Sequence, residues 1–172
     1  MSLIIEDGSI VAGANSFTDL AYARERATAY QITLPTDDIE AENALKAGAL
    51  WIKQQEKSLQ GVRVSNTQAL SYPREDVVLY GFTVNNNEVP LELIDTQVAA
   101  AAEAGSGVNV LVPTKTNPSI KKKKMDELGE LEYFNGGSLT QDSDNIRLAK
   151  SILYPLTLSA VNVGGGFKCV RG

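Results

Sequence analysis

Apolar residues recur at helical spacing in four stretches of this chain and lose that spacing between them. In "NSFTDLAYARERATAYQ" the periodic positions are Phe17, Leu20, Ala21, Ala27 and Tyr30. Asn15 or Ser16 is placed to cap them, with Asp19 set as in a capping box, so a helix is predicted over about 17–31. In "LPTDDIEAENALKAGALWIKQQEKSLQG" the stripe is Ile39, Leu45, Ala49 and Ile52, with Trp51 and Leu59 at its edge. Thr36 is the expected N-cap, Asp37 and Asp38 suit the helix dipole, and Gly61 suits the stop, giving a helix over about 37–58. "VPLELIDTQVAAAAEAG" predicts a helix over about 90–104, with Pro90 opening it, Glu92 in its first turn and Gly105 closing it. Its alanine run invites close approach by another helix. "DSDNIRLAKSILYP" predicts a short helix over about 144–153, capped by Asp142 or Asp144, packing through Ile146, Leu148, Ala149, Ile152 and Leu153.

Between these stretches the period changes. Residues 1–16 read as an extended lead-in broken by Gly8 and Gly13. "VVLYGFTV" is β-branched and aromatic and predicts a short strand or an extended pair; "NNNE" after it is a loop tip. Residues 128–133 read as strand, although the four lysines followed by acids also suit a helix, and "VNVGGGFKCVRG" reads as a glycine hinge and tail. The sum is a mainly α fold: a small helical bundle over 1–105, then an extended β-like arm, a short helix and a C-terminal tail over 106–172.

Composition narrows the chemistry. The 172 residues carry a net charge of −5 and a pI near 4.8, which opposes long-range attraction to phosphate backbones. The absence of histidine excludes His-based triads and most zinc sites. A single cysteine, Cys169, excludes an internal disulfide and suits a reducing compartment. The N-terminus lacks the basic start of a signal peptide, and no apolar run reaches the ~20 residues a bilayer needs, so a soluble protein without a membrane partner is expected.

Candidate sites are few. "GGG" at Gly164, Gly165 and Gly166 lacks the lysine and following helix of a phosphate loop and reads as a hinge. Asp37–Asp38 and Asp142–Asp144 read as helix-start charges rather than metal ligands. Ser16 and Ser65 have no histidine to activate them. Cys169 sits near Lys168 and Arg171 without a catalytic partner. No catalytic residue, metal or cofactor is expected, and the chain reads as a non-enzyme. Lys121, Lys122, Lys123 and Lys124 form the only basic run; Asp126, Glu127, Glu130 and Glu132 follow and largely cancel it. It reads as a solvated face, with phosphate contact the lesser alternative, and no aromatics interleave with it to stack bases.

"QALSYPRE", residues 68–75, carries more than a connection needs. Tyr72 is held extended by Pro73, and Arg63 and Arg74 offer forks suited to carboxylates. Arg63, Gln68, Tyr72 and Arg74 are therefore expected at a subunit contact. The tail, with Phe167, Lys168, Val170 and Arg171 beyond the glycines, is near-alternating and capable of adding to a neighbour's sheet edge.

The order helix, helix, "GVRVSNTQALSYPR", extended stretch, "VP" with an alanine-rich helix, charged segment, short helix and terminal "VRG" resembles a family of small proteins of tailed bacteriophages. They are often labelled DnaT-like single-strand-binding proteins and are similar to head–tail connector, or adaptor, proteins. The resemblance runs from about 14 to 172 and is carried most by Gly61, Arg63, Gln68, Ala69, Leu70, Pro73, Arg74, Pro90 and Val170–Arg171–Gly172. Tyr72 departs from the tryptophan expected in many relatives. What the resemblance implies is a structural virion protein of the neck: twelve copies in a ring below the portal protein, joined to a tail or head-completion protein beneath. Genomic double-stranded DNA would pass through the channel beside Lys121–Lys124, and the tail from Gly164 to Arg171 would dock on the portal. Synthesis in the host cytoplasm goes with this. The alternative is a single-stranded-DNA-binding protein of phage replication, against which the acidic charge and the missing stacking platform weigh.

Overall fold

The computed structural model describes residues 2–112, 122–123, 131–132 and 142–162. The first helix, α1 (Leu20–Ala29), begins later than the sequence suggests. Its N-cap is Asp19, whose carboxylate accepts from Tyr22 N at 2.8 Å. Ser16, expected as the cap, is engaged elsewhere. Its hydroxyl donates to Thr18 O at 2.6 Å and accepts from Gln97 Nε2 at 2.8 Å.

In α2 (Asp38–Gln54) the cap is Asp37 rather than Thr36, accepting from Glu40 N at 2.9 Å. The buried face is Ala41, Ala44, Leu45, Gly48, Ala49, Trp51 and Ile52. Ile39, assigned to that stripe, points outward and is 69% exposed, because the first turn overhangs the core. A 3-10 turn, Glu56–Ser58, follows the helix.

The centre of the core is α3 (Leu91–Gly105), buried almost throughout from Leu93 to Glu103. Helix α2 packs along it on one side, α4 (Asp144–Leu153) on another, and α1 more lightly. Small residues set the α2–α3 distance: a Cβ added at Gly48 would lie 2.5 Å from the Gln97 carbonyl oxygen, so the helices approach backbone to backbone there. Each fully buried Leu or Ile on these faces, such as Leu45, Ile52 and Leu93, contributes ~1.5–3 kcal/mol.

Polar ties fix the registers. Gln97, wholly buried, accepts from Phe17 N at 2.9 Å and donates to Leu45 O at 2.9 Å as well as to Ser16. One side chain thus joins the lead-in, α2 and α3. Arg26 of α1 makes a bidentate pair with buried Asp95 of α3, at 2.6 and 2.7 Å, and Tyr30 Oη donates to the same carboxylate at 3.0 Å. That pair holds the Arg26 guanidinium well above its ordinary pKa, chiefly through the hydrogen bond to Asp95.

Helix α4 is capped by Ser143, accepting from Ile146 N at 3.3 Å, and not by Asp142 or Asp144; Asp142 pairs instead with Lys150 at 2.6 Å. Ala149 and Leu153 are buried in the same core as Leu93 and Ala100. Pro155 lies in a 3-10 turn, Tyr154–Leu156, before a fifth helix, α5 (Leu158–Asn162), which the periodicity does not reveal.

Among the described residues sheet is sparse: three antiparallel two-stranded ladders. β1 (Val62–Arg63) pairs with β2 (Arg74–Glu75), placing Arg63 opposite Arg74. β3 (Val78–Leu79) pairs with β4 (Phe82–Thr83). β5 (Lys122–Lys123) pairs with β6 (Leu131–Glu132), which is where the strand reading of 128–133 falls. The fold is mainly α, as expected. Among the described residues no helix is long and apolar enough to cross a membrane.

Candidate nucleic-acid interface

Two side chains organise the segment between α2 and α3. The first is Gln60, 3% exposed. Its backbone N donates to Leu156 O at 2.9 Å and its Nε2 to Pro155 O at 2.8 Å, which ties the segment to the turn after α4. Its Oε1 accepts from Val78 N at 3.1 Å, anchoring the start of β3. The second is Arg74, 5% exposed, which donates through Nε to Gln60 O at 2.6 Å and through Nη2 to Gly61 O at 2.7 Å. Gly61 has φ +66°, and a Cβ there would collide with the Glu75 carbonyl oxygen, so the turn needs glycine.

Glu56 stands between two arginines. Arg63 grips it in bidentate fashion, through Nε to Oε1 and through Nη2 to Oε2 at 2.6 Å, while Arg74 Nη1 lies 3.3 Å from Oε1. The Arg63 hydrogen bond holds the Glu56 carboxyl below the usual glutamate range. One carboxylate against two guanidiniums leaves the cluster with one positive charge in excess. Exposed Lys57 adjoins it in the 3-10 turn, and Lys53 Nζ donates to Ala69 O at 2.8 Å nearby.

The residues expected at a subunit contact are thus drawn into the chain's own interior. Gln68 is buried, donating to Leu70 O at 3.0 Å and Pro73 O at 3.1 Å, and accepting from Ser65 N at 3.1 Å. Tyr72, joined to Pro73 by a cis peptide, is fully buried, and burial pushes its phenol up. Its hydroxyl and that of Ser71 have no hydrogen-bond partner among the described residues. Arg63 is half-buried, on Glu56 and Gln68 O. Arg74 answers mainly to backbone carbonyls, not to a carboxylate of a neighbour. Of the basic run, Lys122 and Lys123 lie on β5; Lys121 and Lys124 lie outside the described residues, as do Gly164, Gly165, Gly166, Phe167, Lys168, Val170 and Arg171.

The hairpin of β3 and β4 supplies what sequence reasoning overlooked. Tyr80 and Gly81 form a two-residue turn, with φ +53° and +88°; two positive φ values define the type I′ turn that suits hairpin twist. Gly81 takes that conformation freely, whereas a tyrosine in the left-handed region costs ~1–2 kcal/mol. Val77 is buried beneath the hairpin, and Val84 N donates to its carbonyl at 2.9 Å. At the tip, Tyr80 is 70% and Phe82 77% exposed, the two most exposed large hydrophobic side chains among the described residues. β3 packs beside the 3-10 turn of Tyr154, which is itself exposed. The signal was in "LYGF": a turn pair between apolar residues, carrying rings with no core position to fill.

The cleft beside the lead-in has the wrong sign for phosphate. Of about 350 Å³, it lies between the lead-in and the start of α3 and is lined by Glu6, Asp7, Asp19 and Glu88. Glu6 is consumed there by backbone N–H groups of Gly8, Ile10 and Val11.

The described residues thus combine a helical core with an exposed aromatic hairpin tied to the Glu56–Arg63–Arg74 cluster. The chain belongs to the family described as putative DnaT-like ssDNA binding protein, whose model matches residues 1–172. No curated protein and no solved structure matches it. The family match overturns the head–tail adaptor expectation. With it go the twelve-copy ring, the virion-neck location, the portal and tail-side partners, and double-stranded DNA in a channel.

Proposed function

We propose that this protein binds single-stranded DNA, as a replication protein acting in the cytoplasm of the host cell, and that it does so without a chemical step. The observation that carries the reading is the family match over the whole chain. The charge distribution supports it. Residues 1–105 hold 15 acidic and 7 basic residues, whereas residues 106–172 hold 9 basic and 6 acidic. The acidity of the chain is thus concentrated in the helical part, and the second half is net cationic. With a screening length of ~8 Å at physiological ionic strength, local charge governs contact with a strand.

Fluorescence anisotropy of a labelled oligothymidylate, measured against a duplex of the same length, tests this. Saturable binding that prefers the single strand and weakens from about 50 to 200 mM salt is expected. Equal affinity for duplex, or no binding at the lower salt, refutes it.

A further inference from the structure

We propose that the β3–β4 tip is where unpaired bases stack, with Tyr80 and Phe82 as the stacking rings and exposed Lys57, beside the Glu56–Arg63–Arg74 cluster, as the adjoining phosphate contact. This rests on the single-stranded-DNA reading above; neither the family description nor anything else assigns these residues a role.

A type I′ turn is satisfied most easily by Asn, Asp or Gly, yet its first central residue here is a tyrosine at φ +53°. The ring fills no core position: it is 70% exposed, and its hydroxyl meets Glu92. Phe82, two residues on, is 77% exposed and has no polar group to profit from water. Two rings on a protruding turn, one of them held in a strained backbone, fit a ligand with flat apolar faces. Nucleic-acid bases have such faces, and only unpaired bases leave them free.

The mounting is rigid. Val78 N is bonded to Gln60, Gln60 O to Arg74, and Arg74 to Glu56, which Arg63 shares. The hairpin and the Glu56–Arg63–Arg74 cluster therefore form one hydrogen-bonded unit. Residues 56–84 carry three basic and three acidic side chains, so contact with a phosphodiester running past the rings falls to exposed Lys57 rather than to net charge. At the tip itself the sign reverses. Asp76 precedes β3, and Glu92 lies beside Tyr80, where burial and then that carboxylate raise the phenol's pKa. A phosphate is repelled from the ring faces while a neutral base is not. A duplex, which presents its phosphates outward and its bases stacked away, meets the acidic tip first. A single strand can offer the base alone.

The experiment compares wild type, Tyr80→Ala/Phe82→Ala and Tyr80→Trp for binding of an oligothymidylate of about 16 nucleotides, by anisotropy. Unchanged emission of buried Trp51 checks that each variant is folded. The double alanine variant is expected to bind at least about tenfold more weakly, with the salt dependence of binding preserved because the phosphate contacts remain. Tyr80→Trp is expected to retain affinity, and the new indole, unlike Trp51, is expected to be quenched by the bound strand. If wild type binds and the double variant binds within about twofold of it, the assignment to the tip fails while the function stands. If wild type does not bind, the function fails and the assignment with it. If wild type sediments as a dimer that the double variant abolishes, without loss of DNA affinity per chain, the tip is a self-association surface and the proposal is overturned.

Discussion

Replacing Arg74 tests how the segment at 60–84 is held. Its guanidinium makes two short bonds to buried carbonyls, 2.6 Å to Gln60 O and 2.7 Å to Gly61 O, with a longer one, 3.3 Å, to Glu56. Hydrogen bonds from a charged donor contribute about 1.5–3 kcal/mol each. Arg74→Met keeps the aliphatic stem, loses both strong bonds and strands two carbonyls, so a loss of about 3–5 kcal/mol is expected. Arg74→Lys keeps the charge but has one nitrogen where the fork had three. It can serve Gln60 O or Gly61 O, not both in the same geometry, and about half that loss is expected.

The assay is urea unfolding followed by Trp51, the only tryptophan, 4% exposed in the core. With a slope of about 1–3 kcal/mol per molar for a domain of this size, Arg74→Met should lower the midpoint by about 1–5 M. Arg63→Ala is the control. Arg63 also grips Glu56, but it is half-exposed, so its removal should cost only about 1 kcal/mol. Arg74→Lys within ~0.5 kcal/mol of wild type, with Arg63→Ala costing more, would show that the charge pair and not the carbonyl contacts holds the segment.

Gln97→Leu should destabilise by about 2–4 kcal/mol in the same assay, because it leaves the buried Phe17 N–H without an acceptor while conserving volume; a change under ~0.5 kcal/mol would refute this. Tyr80→Asn should raise stability by about 1 kcal/mol by relieving the left-handed turn while weakening single-strand affinity, so the two readouts move in opposite directions. For pH, the folded Glu56 carboxyl sits below its ordinary value of 4.5, so its contribution is present above that pH and lost as the pH falls through the lower folded value. Urea midpoints should therefore drop on acidification below about pH 4.5, and Arg63→Ala, which removes the largest cause, should flatten that part of the profile.

The helices were legible because their signal is local. Leu45, Ala49 and Ile52 recur at the helical period, and all are buried. Helix starts were less legible, since a cap competes with distant partners: Ser16 has the chemistry of a cap, but its hydroxyl bonds Gln97, 81 residues away. Arg74 carries a fork suited to carboxylates and does reach Glu56, but its shorter bonds go to backbone carbonyls. Side-chain reasoning looks for a carboxylate, and the carbonyls of Gln60 and Gly61 become acceptors only once Gly61 has turned the chain. Tyr80 and Phe82 were hidden for the opposite reason. Hydrophobic pattern assigns aromatics inward, and only the register of a four-residue ladder with a two-residue turn leaves both rings outside.

An acidic protein that binds an anionic polymer needs its attraction from somewhere other than net charge. Counterion release scales with the number of phosphates neutralised, and the described surface offers few free cations for that. Stacking does not depend on net charge: each ring contributes ~1–3 kcal/mol whatever the sign of the surroundings. Two rings and exposed Lys57 give modest affinity with a shallow salt slope, which a strongly basic groove cannot produce. A steep slope, with many phosphates released per chain, would place the binding energy in the cationic second half and leave the hairpin a minor part of the contact.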